Sequence, residues 1–152
     1  MTFTNGVNLD PALSSTKPNE NLTVQDAMIA VAVYASQLDP HDCDDDFKKI
    51  QSLAQGHPLF DEDSERTRSR IYKFANHMGT EKIKELVNLA AASLTSKPKK
   101  IAFKWAVELS LGEEGLLGKK QNLLDDLRIR LAIDNYIADR IISEIINKST
   151  SQ

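Results

Sequence analysis

The sequence predicts an all-α fold, a compact bundle of about seven amphipathic helices. Apolar residues recur at three- and four-residue spacing from Val24 almost to the C-terminus, the period of a helix with one buried face. Capping and breaking residues punctuate that pattern: Thr23, Asp39-Pro40, Gly56, Gly79-Thr80, Ser96-Lys97-Pro98 and Asp134. No stretch alternates with the two-residue period of a half-buried strand.

Taken in order, residues 1–21 are rich in Asn, Pro, Ser and Thr without any period and are expected to be a disordered tail, with one helical domain over 22–149. The first helix runs through Val24, Ala27, Met28, Val31, Ala35 and Leu38, with Thr23 as N-cap and Asp26 three residues on. It should stop at Asp39-Pro40, because the residue before proline is pushed out of the α region. A second helix carries Phe47, Ile50, Leu53 and Ala54 and ends near Gly56 and Pro58. The third starts between Asp61 and Ser64, presents Ile71, Phe74, Ala75 and Met78, and ends at Gly79. Thr80 is expected to cap a fourth, with Ile83, Leu86, Val87, Ala90 and Leu94.

The fifth helix opens at Ser96-Lys97-Pro98, where proline suits a first turn. Through Ile101, Ala102, Trp105, Ala106 and Leu109 it is apolar over much of its circumference, so it is expected to be the most buried element. Gly112 to Gly115 breaks the chain; Leu117, Leu124, Leu127 and Leu131 mark a sixth helix. Asp134 is expected to cap a seventh, faced by Ile137, Ile141, Ile142 and Ile145.

A shift of 74 residues lays the first helix-loop-helix unit on a later one. Met28 falls on Ala102, Val31 on Trp105, Ala35 on Leu109, Ile50 on Leu124 and Leu53 on Leu127. Both helices keep phase through one shift, so the loop length also repeats.

At 152 residues the chain suits one domain and needs neither disulfide nor structural metal to bury a core. Its lone cysteine, Cys43, excludes an internal disulfide and fits a reducing compartment. No apolar run approaches the roughly 20 residues of a membrane span, and no basic start precedes an apolar block, so the cytoplasm is the expected location. Nineteen Lys+Arg against 22 Asp+Glu give a net charge of −3, which argues against a nucleic-acid partner. Lys97, Lys99 and Lys100 form the one basic cluster and read as a solvated helix end.

The densest chemistry is Asp39-Pro40-His41-Asp42-Cys43-Asp44-Asp45-Asp46. Clustered carboxylates suit hard cations such as Ca²⁺, Mg²⁺ or Mn²⁺. An EF-hand is excluded: a loop begun at Asp42 places Phe47 where glycine is needed and Leu53 where the bidentate glutamate belongs. Zinc is disfavoured because His41 and Cys43 lack a second ligand pair at the right spacing. The competing explanation is purely structural, with Asp42 or Asp44 capping the second helix and Asp45 and Asp46 favouring its positive end.

Ala35-Ser36-Gln37-Leu38-Asp39, a short turn, Asp44-Asp45-Asp46, then Ile50 and Leu53 resembles the TerB-like tellurite-resistance family. The likeness extends from Val24 to the last helix, including Asp139-Arg140-Ile141-Ile142. It implies an all-helical, non-enzymatic stress-response domain with a repeated helix-loop-helix and a divalent cation at the acidic loop. The acids matching the suspected metal-facing pair are Asp39 and Asp46, with Asp42 and Glu113 (or Glu114) as further candidate ligands. Pro40 stands where the family has glycine, and Lys120 falls on Asp46 in the second unit, which argues against a symmetric two-loop site. The alternative is an interaction or scaffold module with a protein partner and no metal.

Catalysis is disfavoured. The chain has no glycine-rich phosphate loop, no helical histidine pair with an intervening glutamate and no nucleophile elbow. His41, His57 and His77 read as structural or solvated, and the acidic surroundings of Cys43 oppose thiolate formation. Trp105, Phe74 and Tyr72 are expected in the core.

Overall fold

The computed structural model describes residues 22–37, 44–111 and 119–150. Within them lie seven α-helices and no strand: α1 (Val24–Ser36), α2 (Asp44–Gln55), α3 (Ser64–Ala75), α4 (Glu81–Ser93), α5 (Ser96–Ser110), α6 (Lys119–Arg130) and α7 (Asn135–Thr150). A single 3₁₀ turn, Pro58–Phe60, follows α2. No helix among the described residues is long and apolar enough to cross a membrane. The tail over residues 1–21 lies outside the described residues.

The bundle is built around α1, not α5. Every residue of α1 from Asp26 to Ser36 is buried, with Ala27 through Val33 at 0 % exposure. The expectation that α5 is most buried is therefore corrected: Lys104 projects to solvent from the middle of that helix. The sequence does carry the reason. Ala27 to Ala35 is an unbroken apolar run, so α1 has no polar face to leave outside. Alanines at 27, 30, 32 and 35 let neighbouring helices approach closely on several sides. The helix packs against α5, α4 and α3, and more lightly against α2 and α6.

The helix ends are set by local chemistry. Thr23 caps α1, its hydroxyl accepting the Asp26 amide at 3.1 Å. Asp63 caps α3 in the same way, accepting from Arg66 N–H at 2.9 Å. α1 stops before Asp39-Pro40, because Gln37 turns into the left-handed region (φ 53°) and its amide returns to the carbonyls of Tyr34 and Val33. Gly79, at φ 84°, makes the turn between α3 and α4. Thr80 occupies the N-cap position of α4 without capping it; its hydroxyl donates to the His77 carbonyl at 2.6 Å. α7 begins directly after Asp134, whose carbonyl accepts the Ala138 amide.

The 74-residue correspondence is present in the helix bounds. Ser36 and Ser110 end α1 and α5, and shifted α2 lands within one residue of α6 at both ends. The paired positions are also paired in burial: Met28 with Ala102, Val31 with Trp105, Ala35 with Leu109, and Ile50 with Leu124 all lie in the core. Phe74 and Trp105 are core residues as expected, Trp105 meeting Phe60 at 5.7 Å and the edge of His57 at 6.1 Å. Tyr72 is not a core residue. It is 39 % exposed and lies over Phe47 at a centroid distance of 5.0 Å.

Candidate functional site

α1 and α4 run antiparallel. Leu22 N–H reaches Ser93 Oγ (3.0 Å) at one end of the pair, and Tyr34 and Ile83 line one groove at the other. That groove, about 530 Å³, opens where α1 ends and α4 and α6 begin. Met78, Ile83 and Leu123 supply its apolar wall, while Lys84 and Lys120 bring two cations and Glu81 one acid to its edge.

Tyr34 is the groove's fixed point. Its ring is 7 % exposed and its hydroxyl donates to Asp126 Oδ2 at 2.9 Å. Asp126 is held in turn by Arg130, one turn along α6, whose Nε donates to the same oxygen at 2.8 Å. Arg130 Nη1 also donates to Asn88 Oδ1 at 2.8 Å, so the chain of bonds ties α1, α6 and α4 together. Burial, reinforced by the hydrogen bond and charge of Asp126, raises the Tyr34 phenol above its ordinary value. The bond from Asp126 likewise raises Arg130, against the opposing effect of burial. The phenol is thus neutral and the guanidinium charged across the physiological range. The arrangement holds an aromatic wall by hydrogen bonds beside two exposed cations, which is the chemistry of recognition.

A second polar cluster sits at the far end of α1. Arg70 grips Glu62 with two bonds (Nε to Oε2, 3.2 Å; Nη2 to Oε1, 3.1 Å) and donates to Asp26 Oδ1 at 2.8 Å. Lys73 donates to Asp26 Oδ2 at 3.0 Å, and buried Thr67 donates to Glu62 Oε2 at 2.8 Å. Asp26 therefore does not close a capping box with Thr23. Its carboxylate turns away to bind α3. Each acid here has its cations, so the cluster fastens α1 to α3.

Of the predicted ligands, Asp46 lies in the first turn of α2, half-buried, and Asp45 beside it is exposed. Asp39, Asp42, Glu113 and Glu114 lie outside the described residues. Among the described residues no group of three or more metal-type side chains comes together. Lys120, the position corresponding to Asp46, lines the groove. Ser36 and Ser110 differ in one respect: Ser36 Oγ donates to the Val33 carbonyl at 3.1 Å, whereas Ser110 Oγ is buried without a hydrogen-bond partner among the described residues.

Tyr34, Lys84 and Asp126 were not singled out by the sequence. A tyrosine inside the apolar run of α1 was the available signal, because a buried phenol requires a partner. Asp126 lies 92 residues away, a separation that periodicity does not bridge.

No protein-family model, curated protein or solved structure matches the chain.

Proposed function

We propose that the chain is a non-enzymatic helical domain that works by binding a partner protein at the groove between α1, α4 and α6, in the stress-response role implied by its resemblance to the TerB-like tellurite-resistance family. The observation that carries the binding reading is the anchored Tyr34, a rigid aromatic wall with an apolar surround and Lys84 and Lys120 at its edge. Rigid aromatics flanked by cations are favoured at protein interfaces because they add contact area with little ordering cost.

A divalent cation at Asp39 and Asp46, with Asp42 and Glu113 as helpers, is the second element of the proposal. The run of carboxylates from Asp39 to Asp46 in the sequence supports it, with Asp46 in the first turn of α2. Affinity capture from cell extract, with the full chain and its Lys84→Glu/Lys120→Glu variant side by side, tests both. A protein retained by the wild type and lost by the variant supports the groove; equal retention contradicts it. Loss of that protein on adding a chelator supports the cation, and indifference to chelator removes it.

A further inference from the structure

We infer that the face between the first half of α5 and α7 is a second docking surface, one that takes an acidic segment of a partner protein carrying apolar side chains between its carboxylates. It shares no residue with the groove at Tyr34 and does not rest on it.

A cleft of about 540 Å³ runs between the two helices. Ile101, Ile137 and Ile141 form its floor, and Lys100, Lys104 and Arg140 stand along it. Tyr136 lies at its mouth with 73 % of its surface exposed. A smaller cleft of about 290 Å³ continues past the start of α5, sharing Lys100, Asp134 and Ile137 and adding Lys99.

The cations on this face are unspent. Lys99, Lys100, Lys104 and Arg140 line the two clefts and, with Lys97 at the start of α5, form no ion pair or hydrogen bond among the described residues, whereas Arg70, Lys73 and Arg130 elsewhere each hold a carboxylate. Three of these lysines crowd the opening of α5, whose first turn contains no acid. Cations there oppose the helix dipole and repel one another. An anionic occupant would turn each of those penalties into an attraction.

The shape and the remaining charges select the class of occupant. Asp134 and Glu144 lie on the same cleft, ten residues apart along α7. A nucleic acid or an anionic lipid surface would press phosphates against those carboxylates. A peptide can match the pattern, with acids over Lys100, Lys104 and Arg140 and apolar side chains on the isoleucine floor. The span from Asp134 to Glu144 is about 15 Å, the length of roughly three turns of a docked helix.

Selection of a displayed random 16-residue peptide library on the immobilised full chain tests the assignment, followed by anisotropy titration of the enriched peptides. The expected result is enrichment of sequences with Asp or Glu flanking Leu, Ile or Phe. Their affinity should fall at least about tenfold in Lys100→Glu/Arg140→Glu, and also in Tyr136→Ala, whose exposed position leaves the fold intact by its unchanged melting temperature. No enrichment, enrichment of neutral or basic sequences, or equal binding to both variants would overturn it. Two control arms cover the other occupants: an oligonucleotide or vesicles containing phosphatidylserine, and a chain lacking residues 1–21. Tight, Lys100-dependent binding of the phosphate probes without peptide binding overturns the peptide assignment. Peptide binding that appears only once residues 1–21 are removed assigns the cleft to the chain's own N-terminus instead.

Discussion

Arg70, in the middle of α3, holds Asp26 in the first turn of α1, with Nη1 2.8 Å from Oδ1. Its other two nitrogens grip Glu62, so one guanidinium joins two acids whose side chains are each only 11 % exposed. Removing it strands both in a poorly solvated place, with only the more exposed Lys73 left for Asp26. Arg70→Met should cost about 2 kcal/mol, below the range for fully buried pairs because this one is partly wet. A fall of about 4–8 °C in melting temperature is expected. A melting temperature equal to wild type would show that α1 does not depend on this clasp.

The same cluster sets an acid limit. Burial pushes Glu62 upward, but the bonds from Arg70 and Thr67 outweigh it and hold its carboxyl below the usual 4.5. A depressed carboxyl stabilises the fold above its unfolded value, and that stabilisation is lost as pH falls through the folded one. Glu62's contribution is therefore nearly constant between pH 7 and 5, and below about 4.5 it declines. Melts from pH 7 to 3 should show wild type losing stability more steeply than Glu62→Gln at the acid end. Parallel curves would contradict the assignment.

Ala132 closes α6 in a left-handed conformation at φ 55°, with Ile133 N–H returning to the Arg128 carbonyl at 3.0 Å and its own amide to Ile129 at 3.0 Å. That is the position where glycine is preferred, since a side chain there costs roughly 1–2 kcal/mol. Glycine also frees the unfolded chain, which takes back about half of the gain. Ala132→Gly is expected to stabilise by about 0.5–1 kcal/mol in denaturant titration. Destabilisation would show that the methyl group makes a contact worth more than the strain.

Ser110 buries a hydroxyl that has no partner among the described residues, and an unsatisfied buried polar group costs about 1–3 kcal/mol. Ser110→Ala should raise the melting temperature of the chelator-stripped protein, while Ser36→Ala, which removes a bond to Val33, should not. A Ser110→Ala protein that melts lower than wild type would mean the hydroxyl is satisfied in solution.

The helix order, most boundaries and the repeat were legible because each depends on nearby residues: period, caps and breakers. Thr23 and Gly56 bound helices where their local chemistry says they should, whereas α3 stops at Ala75, four residues before the expected Gly79. The rank of the helices was misjudged at α1. Its apolar run could be taken as one amphipathic face plus neighbours, although Ile29, Ala30, Ala32 and Val33 fill the other face. The clasps escaped for a different reason. Asp26 is a reasonable first-turn acid and Tyr34 a reasonable core residue, and only the fold brings Arg70 and Asp126 to them. Of the predicted ligands, only Asp46 falls within the described residues.

Photocrosslinking from a single groove position in living cells tests the central claim most directly. A benzophenone amino acid replaces Lys84 at the groove edge or, as control, the exposed Ala92 about 12 Å further along α4. A discrete heavier adduct from position 84, absent from position 92 and abolished when Lys120→Glu is added, is the predicted result. Identical adduct patterns from both positions, or none from position 84, would contradict the groove as the binding site.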